Sequence, residues 1–189
     1  MERAFDDLKF EKVDFSLKEI DPGEYDNCDF IHCDFSNTDL SRIRFSECRF
    51  IDCNLSLAKL VKTVFRDIIF KDCKLVGLHF DTCDDFLISF EFENCILDLA
   101  SFYKLKLKKT RFRNCSLVEA DFTETDLTGS IFENCNLKKT IFDHTILEKV
   151  DFCTSVNYSI DPEINRIKKA KFSIHGLHGL LDKYDIEID

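Results

Sequence analysis

The sequence predicts an all-β solenoid, a four-sided β-helix with a coil of 20 residues. Three observations lead there. A large apolar residue recurs every five positions: Phe10, Phe15, Ile20, Tyr25 and onward to Phe80 in one phase, then Phe92, Leu97, Phe102 and onward to Phe152 in a second. A small or apolar residue sits two places before most of these centres, as at Cys33, Thr38, Cys53, Ala58, Cys115 and Ala120. Side chains alternate along an extended chain, so those two positions share one face. Like residues also recur at 20: Cys33, Cys53 and Cys73; Phe92, Phe112, Phe132 and Phe152; Leu97, Leu117 and Leu137. A five-residue period fits neither a helix nor a long strand. Each unit therefore reads as a short extended stroke followed by a corner, and four strokes close one coil that stacks like on like.

The elements follow in order. The first run fills residues 8–80 with one unit per side. The phase then shifts by two residues across 83–91, where Asp85 falls at a centre. A bulge there absorbs two residues, with Phe86 or Leu87 expected to fill the vacated core place. If coils continue through it, Cys33, Cys53, Cys73, Cys95, Cys115 and Cys135 form one ladder, and Phe70 aligns with Phe92 or Phe90. The second run ends at Phe152, so the β-helix occupies 1–152 and a cap occupies 153–189. In the cap, Asn157 and Pro162 fall at core phases and residues 161–167 read as a loop. Phe172 returns to phase. Ser173 suits a helix N-cap, and Ile174, Leu177, Leu181 and Tyr184, with Leu180 beside them, form a helical apolar stripe. Ile186 and Ile188 alternate with acids, as in a terminal strand.

Composition narrows the class. The chain has 189 residues, 44% hydrophobic and 33% charged, with 20 Phe, 10 Cys, five Gly and two Pro. Disordered chains are poor in Phe and rich in Pro and Gly. No apolar run approaches the ~20 residues of a membrane span. The start, Met1 to Asp7, lacks the apolar core of a secretory signal, so a cytoplasmic protein with no membrane partner is expected. The net charge of −10 disfavours direct nucleic-acid binding, because phosphates attract cations. Residues 81–100 carry 6 acids and no base, whereas residues 101–118 carry 6 bases and no acid.

No chemistry-bearing constellation stands out. None of the Cys form the paired clusters of zinc sites, and small buried thiols packed in ladders suit their positions. Three of the five His, at 32, 79 and 144, fall at outward positions. Asp and Asn before the centres (Asp34, Asp39, Asn54, Asp121, Asp126) sit where Asx side chains bond their own backbone in turns. No Gly-rich phosphate loop is present. A non-enzyme without cofactor, metal or catalytic residues is expected.

Stretches such as Cys33-Asp34-Phe35, Thr38-Asp39-Leu40, Ala120-Asp121-Phe122 and Thr125-Asp126-Leu127 resemble the repeat of the pentapeptide-repeat proteins. The resemblance covers about residues 8–152 and implies a right-handed quadrilateral β-helix. About seven coils at ~4.8 Å make a rod of roughly 35 Å. The tail, Asp161-Pro162-Glu163-Ile164-Asn165-Arg166-Ile167 and Leu180-Leu181 through Ile188, is similar to the C-terminal region of the quinolone-resistance and microcin-immunity subgroup. That similarity implies a homodimer joined at the C-termini. It also implies binding to DNA gyrase or topoisomerase IV, DNA mimicry, and protection against antibiotics or toxins. The expected dimer residues are Phe172, Ile174, Leu177, Leu180, Leu181 and Tyr184. The bulge offers Asp84, Asp85, Phe86, Leu87 and Glu91 as binding residues. DNA of ~35 Å would carry about 20 phosphate charges, twice the net charge here, and the basic cluster Lys104 to Arg113 departs from a full mimic. An interaction scaffold with another protein partner is the alternative.

Overall fold

A computed structural model describes residues 3–184 and 186–187. Its strands are β1 (Arg3–Asp6), β2 (Lys9–Glu11), β3 (Gly23–Asp26), β4 (Asp29–Ile31), β5 (Arg44–Ser46), β6 (Arg49–Ile51), β7 (Val64–Arg66), β8 (Ile68–Lys71), β9 (Phe90–Glu93), β10 (Arg111–Arg113) and β11 (Ile131–Glu133). All pairing is parallel, at an offset of 20 residues except across the phase shift, where Ile68 meets Phe90 and Phe70 meets Phe92. One wall is a continuous sheet of seven strands, in the order β11-β10-β9-β8-β6-β4-β2. A neighbouring wall holds β1-β3-β5-β7. The remaining walls are held by single-residue bridges such as Asp34↔Asn54 and Ser101↔Asp121.

One unit shows why the period is five. Asp34 N donates to the Val13 carbonyl at 3.0 Å, and Phe35 N to the Asn54 carbonyl at 2.7 Å, so the stroke is tied to the coils on both sides. Asn37 then turns left-handed (φ 57°), and Thr38 N closes the corner on the Phe35 carbonyl at 3.1 Å. Left-handed residues recur at the corners, mostly as Asp, Asn, Lys, Glu and His. Such a conformation costs a non-glycine residue roughly 1 kcal/mol. Asx turns offset part of it: Asp34, Asp39, Asn54, Asp121 and Asp126 each accept the backbone N–H two residues on, at 2.7–3.2 Å.

The interior is a stack of rings. Phe92, Phe112 and Phe132 lie nearly parallel, with centroids 5.1 and 4.7 Å apart. From the opposite wall Phe102 and Phe122 meet Phe112 edge-on at 6.1 and 5.9 Å. Offset-stacked and edge-on contacts are the favourable arrangements of aromatic quadrupoles. The small position two before each centre has a polar task as well. Thr63 Oγ1 donates to Leu40 O at 2.8 Å, Thr125 Oγ1 to Phe102 O at 2.8 Å, and Ser155 Oγ to Phe132 O at 2.8 Å. Cys53 and Cys135 thiols donate likewise to Phe30 and Phe112 carbonyls at 3.2 and 3.3 Å. Two of these interior carbonyls also accept a backbone N–H, Leu40 O from Ile43 N at 3.2 Å and Phe102 O from Leu105 N at 3.1 Å, so there the side chain fills the second lone pair of a buried acceptor. Cys, Thr and Ser are the residues small enough to fit and able to donate.

The six-thiol ladder forms as the period requires; its members are buried and free. Neighbouring sulfurs and burial together raise the Cys33 and Cys73 thiols. Burial pushes Cys48 up to about 12. Cys153 is the exposed thiol. Among the described residues no helix is long and apolar enough to cross a membrane.

The tail departs from the repeat. Asn157 is an exposed corner, while Tyr158 and Ile160 turn inward. The repeat resumes at Asn165, whose amide replaces the usual hydroxyl: Nδ2 donates to Phe142 O at 2.9 Å, and Oδ1 accepts from Thr145 N at 2.8 Å. Phe172 then stacks on Phe152 at 5.5 Å.

Candidate functional site

The phase shift creates the one irregular corner between the two regular runs. Counting on from Phe80 (which opens a 3-10 turn, Phe80–Thr82), Cys83 is buried at the small position and Asp84 bridges Val64. Asp84 accepts Phe86 N at 3.0 Å, and Leu87 turns left-handed at φ 60°. The unit thus runs normally to Leu87, and the two extra residues are Ile88 and Ser89. The expectation that Phe86 or Leu87 fills the core is overturned: they are 69% and 58% exposed. Their phases are the outward corner phases, and the Asx turn holds them there. Ile88 and Phe90 fill the space instead, with the Phe90 ring 5.7 Å from Phe65 and 5.1 Å from Phe80. Ser89 Oγ accepts Asp67 N at 2.6 Å and donates to Asp67 Oδ1 at 2.8 Å, pinning the corner to the coil below. Above it the wall is split. Bridges resume at Lys106↔Asp126, and none joins Asp84 to Lys106.

Asp84, Asp85 and Glu91 project from this region, and none has an ion pair among the described residues. Phe86 and Leu87 stand beside them, so acids and apolar side chains share one exposed ridge. One coil above lie Lys104, Lys106, Lys108, Lys109, Arg111 and Arg113. Three of these are tied to acids of the following coil: Lys104 to Glu124, Lys108 to Asp126 and Arg113 to Glu133, at 3.1–3.5 Å. Similar cross-coil pairs, such as Arg49–Asp29 at 2.6 Å and Lys139–Glu119 at 3.0 Å, recur along the rod. Many acids are therefore neutralised by a neighbour one coil away.

The C-terminal end is a lid. Ser173 caps a 3-10 helix, Ile174–Leu180, by accepting Gly176 N at 3.1 Å, and a further 3-10 turn spans Asp182–Tyr184. The cap residue matches expectation, but the helix is tighter than the stripe implied. The reason is the repeat His175-Gly176-Leu177-His178-Gly179-Leu180. Residues three apart eclipse in a 3-10 helix, so both glycines face Tyr158. A Cβ on Gly179 would lie 2.1 Å from Tyr158 O, and one on Gly176 would lie 2.0 Å from its hydroxyl. Lys183 clasps the tail to the preceding loop, 2.7 Å from both Asp161 and Glu163. The six expected dimer residues divide. Phe172 and Leu180 pack on the core, while Ile174, Leu177, Leu181 and Tyr184 are exposed. Ile186 is in no strand, and Ile188 lies outside the described residues.

Sequence reasoning missed two features: the left-handed corners and the donor role of the small position. Among the described residues no group of three or more His, Cys, Asp or Glu is placed to hold a metal ion.

Comparisons with known proteins follow this geometry. The family model described as "Pentapeptide repeat region" matches residues 24–91 and 86–157. A trypsin-treated form of QnrB1, a plasmid-mediated fluoroquinolone resistance protein, aligns over 99% of this chain and 100% of its own at 19% identity, with a TM-score of 0.59. A second QnrB1 structure aligns over 100% of both chains at 19% identity, with a TM-score of 0.51. HetL, a pentapeptide repeat protein involved in heterocyst differentiation regulation from the cyanobacterium Nostoc, covers 89% of this chain and 86% of its own at 15% identity, with a TM-score of 0.39. A search of curated proteins by sequence gives no match. Four stacked walls, five-residue units and the family match agree: the chain belongs to the pentapeptide-repeat family.

Proposed function

We propose that this chain is a non-enzymatic protein that binds a type II DNA topoisomerase, gyrase or topoisomerase IV, and protects it from a poison by partial DNA mimicry. The observation that carries the reading is the exposed Asp84-Asp85-Phe86-Leu87 ridge on a rigid rod. A topoisomerase groove built for DNA is lined with cations, which suits Asp84, Asp85 and Glu91. Phe86 supplies the desolvated aromatic anchor that interfaces favour. QnrB1, whose fold is shared, is named for fluoroquinolone resistance, and that role is carried over here. The mimicry is partial because cross-coil ion pairs cancel many acids. Exposed Ile174, Leu177, Leu181 and Tyr184 at the lid supply a two-fold contact with a second copy.

Competition binding tests the reading. Purified gyrase, a labelled DNA duplex and increasing protein should show displacement of the DNA. An Asp84→Ala, Asp85→Ala, Phe86→Ala variant should displace at least tenfold less well. Equal displacement by the variant would make the ridge a tolerated insertion. The basic coil from Lys104 to Arg113 favours a second reading, a scaffold for another protein partner; it gains if gyrase binds neither form.

A further inference from the structure

The seven-stranded wall presents outward side chains in two columns. In strand order, the first column reads Lys9, Asp29, Arg49, Ile69, Glu91, Arg111, Ile131, and continues through bridged rows to Asp151 and Lys171. The second column reads Glu11, Ile31, Ile51, Lys71, Glu93, Arg113 and Glu133. Reflected about a line between β9 and β10, each charge in the eight rows from Asp29 to Lys171 meets its opposite, while Lys9 and Glu11 on β2 fall beyond the reflected rows. Glu91 maps on Arg111, Arg49 on Asp151, and Asp29 on Lys171; Ile69 maps on Ile131. In the second column Glu93 maps on Arg113, and Lys71 on Glu133.

We propose that this wall is an interface between two copies of the chain, packed face to face with rod axes antiparallel. The two-fold axis runs along the strands between β9 and β10. Such an axis reverses the order of rows and keeps strand direction, so first column faces first column. The contact is then isologous, with each residue meeting the one that meets it back.

Neighbouring coils also pair within the chain, as Arg49–Asp29, Lys71–Glu93, Arg113–Glu133 and Lys171–Asp151. That pairing asks only for opposite signs in some adjacent rows. It does not explain the two centre residues. Glu91 and Arg111 stand in register on adjacent strands, yet neither has an ion pair among the described residues. Across the two-fold each finds the other. Ile69 and Ile131, both exposed, flank the centre and meet as an apolar pair.

Eight rows at ~4.8 Å give a strip of roughly 34 by 10 Å, so about 700 Å² is buried over both copies. That is below the ~1,200 Å² of a stable complex, so the association is weak and salt-sensitive.

The test uses full-length protein carrying Leu177→Glu and Leu181→Glu, so that the lid contact does not contribute. Sedimentation equilibrium in low salt should show reversible dimers that weaken about tenfold near 0.5 M salt. Glu91→Arg with Glu93→Arg should leave monomers, as should Arg111→Glu with Arg113→Glu. Mixing the two variants places Arg against Glu at every contact and should restore a heterodimer. Ile69→Lys and Ile131→Glu, mixed, provide a second rescue outside the centre should either charge swap fail to fold. A parent that stays monomeric to about 1 mM in low salt, or mixtures that stay monomeric, would overturn the proposal.

Discussion

Replacing Phe112 by Ala tests the stacked core where it is most complete. The ring is fully buried, 5.1 Å from Phe92 and 4.7 Å from Phe132, with two further rings edge-on. Deleting a buried Phe side chain costs about 3–5 kcal/mol through lost transfer energy and the cavity left behind. Each aromatic contact adds roughly 0.5–1.5 kcal/mol, and a parallel wall cannot collapse inward without breaking its ladder. The expected loss is therefore at the top of the range, about 5 kcal/mol, against a total stability of about 5–15 kcal/mol for a domain. Phe10 is the internal control. It is only partly buried at the open end, and its stacked neighbour is Phe30 at 4.9 Å. Phe10→Ala should cost roughly half as much. Urea unfolding followed by circular dichroism near 218 nm reads both. A Phe112→Ala loss under about 1 kcal/mol, or one no larger than that of Phe10→Ala, would refute the stacked-core account.

Three other outcomes are expected. Cys135→Thr keeps a donor to Phe112 O and should be nearly neutral, whereas Cys135→Val removes that hydrogen bond and should cost about 1 kcal/mol in the same unfolding assay. The buried thiols should react slowly with a thiol reagent until denaturation, while Cys153 labels at once. The clasp should loosen in acid: hydrogen bonds from Lys183 hold the Asp161 and Glu163 carboxyls below their ordinary values. Groups lowered on folding contribute stability above their unfolded pKa and lose it as pH falls through the folded one. Amide-exchange protection of residues 174–184, corrected for the intrinsic rate at each pH, should therefore stay high at neutral pH and fall below about pH 4. Unchanged protection down to pH 2 would contradict the clasp.

Much of this was legible because solenoid stacking copies one local rule into every coil. The period of five, the coil of 20 and the Cys33-to-Cys135 ladder each appear many times over. Single events were harder. At the phase shift, hydrophobicity pointed Phe86 and Leu87 inward, although counting from Phe80 puts them at outward phases; the Asx turn at Asp84 decided it. The left-handed corners left no glycine signature, because Asn, Asp, Lys and His tolerate that conformation when hydrogen-bonded on both sides. The donor role of Cys, Thr and Ser was diluted by Ala58, Ala100 and Leu105 at equivalent positions. The 3-10 lid was written in the three-residue repeat from His175 to Leu180, which the apolar stripe obscured.

The most direct test of the functional claim is gyrase supercoiling in the presence of a fluoroquinolone. Increasing amounts of the protein should restore supercoiling at an inhibitory drug concentration. The variant carrying Asp84→Ala, Asp85→Ala and Phe86→Ala should restore it only at about tenfold higher concentration. Absence of any protection by the folded wild-type protein, at concentrations well above that of gyrase, would contradict the account.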